Sequence, residues 1–219
     1  AMPFLKKKTP KFHDFASATL FDLYSSSLEK ADRYEANTLE SGILFNAGDG
    51  KFTFRPLPAM AQVAPVFGMA VSDFDGDGNL DLFLAQNSFA PQVETGRMDG
   101  GTGVVLKGKG DGNFLAVRPD QSGIVASGDA KGVALVDVNS DRWPDLIVGN
   151  NNAAVQVFQA RPIESAKSLT VQLNASPVLK TGALVRLTLA GGRTMIRELN
   201  AGGSYLSQSS SRPQFAIPL

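Results

Sequence analysis

Cysteine is absent from this sequence, and histidine occurs once, at His13. Without cysteine the chain has no disulfide framework and no thiolate metal site. With one histidine, a histidine-rich zinc site has no basis. These absences leave the cellular compartment open.

Net charge is also absent, since 21 Lys and Arg residues balance 21 Asp and Glu residues. No basic stripe stands out, so the protein has no field that would draw it to nucleic acid or anionic lipid. No apolar run is long enough to span a membrane, and no signal peptide is evident. We therefore expect no nucleic-acid partner and no membrane insertion.

Signatures of catalysis are missing too. The sequence contains no nucleophile elbow and no Cys/His pair. A carboxylate pair for glycoside hydrolysis stays open, because the separation of two acids depends on the fold. The sequence therefore favours a non-enzymatic protein, with a hydrolase as the weaker alternative.

What the sequence does contain is one acidic loop in two copies, whose first residues are 64 positions apart. The copies are Asp73-Phe-Asp75-Gly-Asp77-Gly-Asn79-Leu-Asp81 and Asp137-Val-Asn139-Ser-Asp141-Arg-Trp143-Pro-Asp145. Side-chain oxygens at positions 1, 3, 5 and 9 let a tight loop wrap one hard cation, and position 7 can add its backbone carbonyl. The pattern indicates calcium.

A plain turn is the alternative interpretation, because Asp, Gly and Asn favour tight turns without any metal. Against it, the four carboxylates of the first loop repel one another unless a cation lies among them. We expect a stronger first site and a weaker second one, where Asn139 replaces an acid and Arg142 replaces a glycine.

Neither loop is an EF-hand, because position 12 is Leu84 or Val148 where that motif needs a bidentate Glu. Strand-like apolar residues follow each loop, whereas an EF-hand continues into a helix. The loops therefore join strand to strand.

The repeat extends beyond the acidic loops. Two hairpin turns, Gly48-Asp49-Gly50 and Gly110-Asp111-Gly112, lie between short apolar strands. One repeat is therefore predicted as a strand, a Gly-Asp-Gly hairpin, two further strands separated by a long connection, the acidic loop and a strand. Four-stranded antiparallel units of this kind are the blades of β-propellers.

The two ends of the chain differ from the repeats. Residues 1–41 carry apolar side chains at helical spacing from Phe12 to Tyr24, and Ser26 and Glu29 suggest a capping box for a second helix near 27–36. Residues 161–219 begin as a linker and continue as a small β domain with a clear hairpin around Gly191-Gly192. The predicted fold is thus mainly all-β, with blades at about 42–103 and 104–160.

At these residues a family resemblance becomes specific. The acidic loops with their Gly-Asp-Gly-x-Phe hairpins resemble the FG-GAP/VCBS repeats of integrin-type β-propellers. Residues 182–208 are similar to the ASPIC/UnbV domain that follows such repeats in bacterial secreted proteins. The resemblance implies a calcium-stabilised propeller that serves adhesion or binding outside the cell. The implied ligands are Asp73, Asp75, Asp77, the Asn79 carbonyl and Asp81, then Asp137, Asn139, Asp141, the Trp143 carbonyl and Asp145.

A closed propeller needs at least about four blades, and this chain supplies roughly two. Open blades leave bare strand edges. We expect the chain to be a piece of a longer protein, to assemble with copies of itself, or to cover its edges with its own helices and tail.

The function expected from the sequence is a calcium-stabilised binding or adhesion module of a secreted, cell-surface or periplasmic bacterial protein. Its partner is expected to be a protein or a glycan outside the cell. The long loop that includes Phe89, Arg97 and Met98 is the candidate contact surface, since binding residues often lie on loops held by rigid strands. The alternative is a structural part of a larger secreted enzyme or surface protein.

Overall fold

The computed structural model describes residues 3–219; Ala1 and Met2, at the start of the predicted helical segment, lie outside the described residues. The chain divides into two compact units, one ending at Leu39 and the other spanning Glu40–Leu219. Strands account for 35% of the residues and helices for 15%, which confirms the predicted all-β class. None of the helices in the described part of the chain has the length and apolar character needed to cross a bilayer.

The first unit contains three short helices and one 3₁₀ helix. The elements are α1 (Pro3–Lys8), α2 (Phe12–Ser17), α3 (Leu20–Tyr24) and the 3₁₀ helix Ser25–Lys30. The apolar spacing predicts helix from Phe12 to Tyr24, and the structure interrupts it at Thr19, which forms a reciprocal capping box with Asp22. This cap starts a new helix by satisfying its free N–H groups.

The prediction of a helix near 27–36 is wrong. The 3₁₀ helix ends at Lys30, and no side chain caps its start. The chain leaves the preceding helix at Ser25 with a positive φ of 49°. Ser26, the expected capping residue of the predicted helix, therefore already lies within the 3₁₀ helix.

The second unit is built from thirteen strands and three short helical turns. The strands are β1 (Gly42–Gly48), β2 (Lys51–Pro56), β3 (Val66–Ser72), β4 (Asp81–Gln86), β5 (Val104–Gly108), β6 (Phe114–Val117), β7 (Ala130–Val136), β8 (Asp145–Asn150), β9 (Gln156–Phe158), β10 (Ala166–Thr170), β11 (Leu184–Thr188), β12 (Thr194–Glu198) and β13 (Gln214–Pro218). The helical turns are a 3₁₀ turn (Ala59–Ala61), α4 (Pro119–Ser122) and α5 (Pro177–Lys180).

Neighbouring strands are antiparallel in every sheet. A four-stranded sheet in the order β3-β4-β5-β6 forms what we call the first blade. A three-stranded sheet in the order β7-β8-β9 forms the second blade, and β1 and β2 form a separate leading hairpin.

The composition of the blades differs from the expected one. The repeat predicts that each Gly-Asp-Gly hairpin shares a sheet with the acidic loop that follows it. The structure instead leaves the first hairpin as a separate sheet and places the second in one sheet with the acidic loop that precedes it. The cause is β4, whose six residues are all buried. A strand covered on both faces needs paired neighbours on both edges, and β5 supplies the second one through Leu82–Leu106 pairing.

The first blade is sandwiched between two layers. On one face, Phe83, Val105 and their neighbours pack against Val133, Leu146 and Val148 of the second blade. On the other face, a second apolar cluster around Leu82 and Leu106 packs against Ile43 of the leading hairpin. The blades approach so closely that a Cβ on Gly68 would lie 2.6 Å from Val133, and so Gly68 has no room for a side chain.

The tail forms two small sheets, β10-β13 and β11-β12. The predicted hairpin around Gly191-Gly192 is confirmed, with Leu184 paired to Glu198 and Thr188 to Thr194. Residues 202–208 form no regular strand; this segment is irregular and contains only a Ser204–Ser207 bridge.

That irregular segment instead lies along the innermost strands of both blades. Ser207 and Ser209 accept hydrogen bonds through their hydroxyl oxygens from the backbone N–H groups of Val133 and Leu135 on β7, at 2.8 and 3.1 Å. Ser204 accepts one in the same way from Met69 on β3, at 3.0 Å. Serine hydroxyls thus cover strand edges that a neighbouring strand would otherwise pair.

Candidate metal centre

The first acidic loop is folded by its own carboxylates. Asp73 accepts hydrogen bonds from the backbone N–H groups of Gly76 and Gly78, at 2.8 and 2.7 Å. Asp81 accepts them from Phe74 at 2.8 Å and from Gly108 at 2.7 Å. The first pair of bonds shapes the turn, and the last one ties the loop to the end of β5.

Three of these acids converge. Asp73, Asp75 and Asp81 each offer one carboxylate oxygen, and the three oxygens lie within 4.8 Å of one another. Asp73 and Asp81 are buried, with 4% and 1% of their surface exposed. In residues 3–219 no other group of three or more acidic or histidine side chains meets this condition.

Burial removes the water that would otherwise solvate the charges of these converging carboxylates. It raises the pKa of Asp73, against the two backbone hydrogen bonds that lower it. Burial also raises the pKa of Asp81 to about 6, and the charges of Asp75 and Asp73 add to the effect. A bound cation would remove this repulsion.

The donor set fits a hard divalent cation. Carboxylate and carbonyl oxygens are the ligands that calcium takes, in a flexible geometry. Each carboxylate oxygen has two lone pairs, so acids that already accept a backbone N–H can still bind an ion.

Asp77, a further predicted ligand, lies outside the converging group. Its Oδ1 accepts a hydrogen bond from Asn79 N–H at 2.8 Å, and its Oδ2 lies 3.2 Å from the Lys107 ammonium. Lys107 also contacts Asp75. The hydrogen bonds that Lys107 donates to Asp75 and Asp77 raise its pKa, so its ammonium stays charged beside the site.

A second cation reaches the loop from the tail. The Arg193 guanidinium, at the β11–β12 turn, donates to the Asp77 carbonyl and to the Asn79 side-chain oxygen, both at 3.0 Å. Neither Lys107 nor Arg193 was predicted from the sequence to lie at this site. Placing Lys107 at the site requires knowing that β4 pairs with β5. No pattern in the sequence indicates that residue 193 lies near residue 79.

The second acidic loop repeats three of the four hydrogen bonds described for the first. Asp137 accepts from Asp141 N–H and Arg142 N–H, at 3.1 and 2.9 Å. Asp145 accepts from Val138 N–H and from Ala160 N–H, both at 2.8 Å. The two loops therefore share one backbone design, although the acids of the second are not among the converging groups of residues 3–219.

The second loop has two non-glycine residues in left-handed backbone where the first loop has glycine. Gly76 and Gly78 have φ values of 77° and 85°, and the equivalent Ser140 and Arg142 have 64° and 74°. Left-handed backbone costs a non-glycine residue energy. The Arg142 carbonyl also accepts a hydrogen bond from the Gln214 amide of the tail at 2.7 Å. Trp143, predicted to offer its carbonyl, is buried among tail residues.

The long loop of the first blade brings its predicted contact residues together. The Arg97 guanidinium lies 3.6 Å from the centre of the Phe89 ring and pairs with Asp99 at 2.9 Å. Met98 bridges back to Ser88. The three residues form a platform of one half-buried aromatic ring, one exposed cation and one exposed thioether.

Buried polar groups hold the base of this platform. Asn87 is fully buried; its amide donates to the carbonyls of Gly101 and Gly128, at 2.8 and 3.0 Å. Asp129, also buried, pairs with Lys131 at 2.5 Å, and Lys131 donates to the Asn87 carbonyl. The loop is therefore fixed to both blades at its two ends.

The repeat region is similar in sequence to known proteins. Residues 22–84 match the family model described as FG-GAP-like repeat. Human integrin alpha-IIb is 34% identical over 128 residues, which are 54% of this chain and 12% of the integrin. Human integrin alpha-7 is 26% identical over 177 residues, which are 77% of this chain and 14% of the integrin.

The matched residues include the leading hairpin and the first acidic loop, so the FG-GAP part of the resemblance is confirmed. The chain spans only 12–14% of the length of these curated relatives. The ASPIC/UnbV resemblance of the tail stays a prediction.

Proposed function

We propose that this chain is a calcium-stabilised, non-catalytic binding or adhesion module that works outside the cell. The observation that carries the proposal is the convergence of Asp73, Asp75 and Asp81 within 4.8 Å, two of them buried, in a loop design that the chain uses twice. Oxygen ligands that repel one another and lie at a tight strand connection favour a bound hard cation.

In the first site the ion would be held by Asp73, Asp75 and Asp81, with Asp77 and the Asn79 carbonyl completing the set. Its role would be structural, since Asp81, at the start of β4, also accepts a hydrogen bond from the backbone of β5 and so links the two strands. The second site would use Asp137, Asn139, Asp141, the Trp143 carbonyl and Asp145. It would bind more weakly, because it has one acid fewer and two residues with left-handed backbone in place of glycine.

The similarity to integrin alpha chains supports an adhesion or binding role and an extracellular location. Extracellular modules bind calcium with dissociation constants of about 10⁻⁴ to 10⁻³ M, which suffices outside a cell. The platform of Phe89, Arg97 and Met98 is the proposed contact surface for a protein or glycan. Aromatic and arginine side chains are common anchors at interfaces.

Thermal unfolding in EGTA and then in millimolar calcium tests the metal role. A ligand that binds the native state raises the melting temperature once its concentration exceeds the dissociation constant. We expect a clear rise for the unaltered chain, the loss of most of it in Asp75→Ala and a smaller loss in Asp141→Ala. Asp111→Ala is the matched control, since it removes an acid from a Gly-Asp-Gly turn outside both loops.

Absence of any calcium shift, together with no bound metal by elemental analysis, would overturn the metal role. The binding role has a separate test, in which protein and glycan arrays are probed with the chain and with Arg97→Ala. Binding that Arg97→Ala weakens supports the platform. If the chain binds nothing on either array while calcium still raises its melting temperature, the result would favour a structural part of a larger protein.

A further inference from the structure

The three strands of the second blade correspond to the first three strands of the first blade, and among the described residues the second blade has no counterpart of β6. Leu146 pairs with Phe158 as Leu82 pairs with Leu106. Ala160 N–H donates to Asp145 as Gly108 N–H donates to Asp81. These two correspondences make β9 the counterpart of β5. In the first blade β6 follows as a fourth strand, and within residues 3–219 no strand pairs with the outer edge of β9.

The direction of the backbone groups on that edge follows from the same match. Gly108 N–H faces β4, and Lys109 N–H bonds across the hairpin to Asn113. Because these groups alternate along a strand, Ala160 N–H faces β8 and the N–H and C=O groups of Val157 and Gln159 face outward. This edge therefore offers a ladder for an antiparallel strand.

A cavity of about 980 Å³ lies along the edge, lined by β9, β6, α4 and the first acidic loop. At the junction of the leading hairpin and the first blade, where β6 is in place, the cavity is only about 180 Å³. The larger cavity beside β9 therefore corresponds to the space that a fourth strand would occupy in the second blade.

Apolar side chains face this space without cover. Phe114 packs toward the leading hairpin and Val117 toward the second blade. Side chains alternate along a strand, so Leu115 faces the second blade with Val117, and it is 53% exposed. Val157 on the edge itself is 55% exposed.

We propose that the outer edge of β9 accepts an extended peptide segment of a partner protein, which becomes the fourth strand of the second blade. The segment must have free N–H groups at alternate positions to pair with Val157 and Gln159. By the pattern of β6, its alternating residues that face the first blade are apolar, and one is aromatic, as Phe114 is. Strand addition of this kind obtains affinity from the backbone ladder and specificity from alternate side chains.

The test uses the full chain and a synthetic, end-blocked peptide of residues 112–118, which carries the β6 sequence. Titration calorimetry measures binding, and amide hydrogen exchange followed by NMR locates it. We expect saturable binding and slower exchange at the Val157 and Gln159 amides, with exchange along β5 and β6 unchanged. A peptide carrying Leu115→Pro loses an N–H needed for the ladder and is expected not to bind.

Val157→Pro in the chain removes only an outward-facing N–H, so the fold should persist and peptide binding should be lost. Ala116→Pro is the matched control on the outer edge of β6 and should bind as before. No slowed exchange at β9, or binding lost in Ala116→Pro and kept in Val157→Pro, overturns the proposal. Protection of Val157 that grows with protein concentration and needs no peptide also overturns it, because a second copy then covers the edge. These readouts do not depend on the calcium shift, so either proposal can fail alone.

Discussion

The Lys107 ammonium lies 3.2 Å from Oδ2 of Asp77 and also contacts Asp75. Both acids are predicted calcium ligands, so the site has a positive charge of its own. The match between β5 and β9 places Gln159, which has no charge, at the corresponding position of the second blade.

Replacing Lys107 with Gln should therefore tighten calcium binding at the first loop. The ammonium competes with the ion for Asp75 and Asp77, and it repels a divalent cation. We expect a lower dissociation constant in calorimetry and a lower melting temperature in EGTA, because the variant leaves the acids without a counter-charge. Gln159→Lys is the reverse variant and should leave the first site unchanged. Equal calcium affinity of Lys107→Gln and the unaltered chain would show that the ammonium does not compete.

The left-handed positions of the two loops should respond in opposite directions. Gly78→Ala should destabilise the chain by about 1–2 kcal/mol, because φ is 85° and a Cβ would lie 2.7 Å from the Arg193 guanidinium. Arg142→Gly should stabilise it by about 0.5–1 kcal/mol, the relief of left-handed strain less the flexibility cost of glycine. Urea unfolding in EGTA measures both. A destabilised Arg142→Gly would contradict the strain argument.

The serine hydroxyls of the irregular tail segment, which accept hydrogen bonds from β7, should contribute to stability. Ser207→Ala leaves the buried Val133 N–H without its acceptor, which should cost about 1–3 kcal/mol. Ser127→Ala is a suitable control, because that exposed serine accepts the bond from Asn87 through its carbonyl. Urea unfolding compares them, with exchange of the Val133 amide as the local readout. An unchanged Val133 exchange rate in Ser207→Ala would mean that the hydroxyl does not protect this edge.

Asp129 should contribute stability that disappears in acid. Burial acts to raise its pKa, but hydrogen bonds from Lys131 and Asn151 lower the pKa overall. A carboxyl group whose folded-state pKa is depressed stabilises the fold above its unfolded pKa, and that contribution is lost as the pH falls through the folded value. We expect the free energy of unfolding in EGTA to fall more steeply below about pH 4 for the unaltered chain than for Asp129→Asn. Parallel profiles would contradict the pairing of Asp129 with Lys131.

Local features of the fold were predictable because each depends on residues close in sequence. The turn at Gly191-Gly192 and the strand-to-strand placement of the acidic loops follow from turn chemistry and alternation, and both are confirmed. The helix boundary at Thr19 was missed, because a Thr–Asp box competes with an uninterrupted apolar pattern. The composition of the blades was missed for a different reason: it depends on which hairpin satisfies the second edge of β4, a long-range choice.

By itself the sequence determined the repeated acidic loop and its oxygen donors, since these follow from the residue types at each place. Tertiary structure decided which acids converge, by burying Asp73 and Asp81 together beside Asp75. It also placed Lys107 and Arg193 against the first loop and left β9 with an open edge. Those relationships arise from strand pairing and packing between residues distant in the chain, which a pattern read along one sequence does not contain.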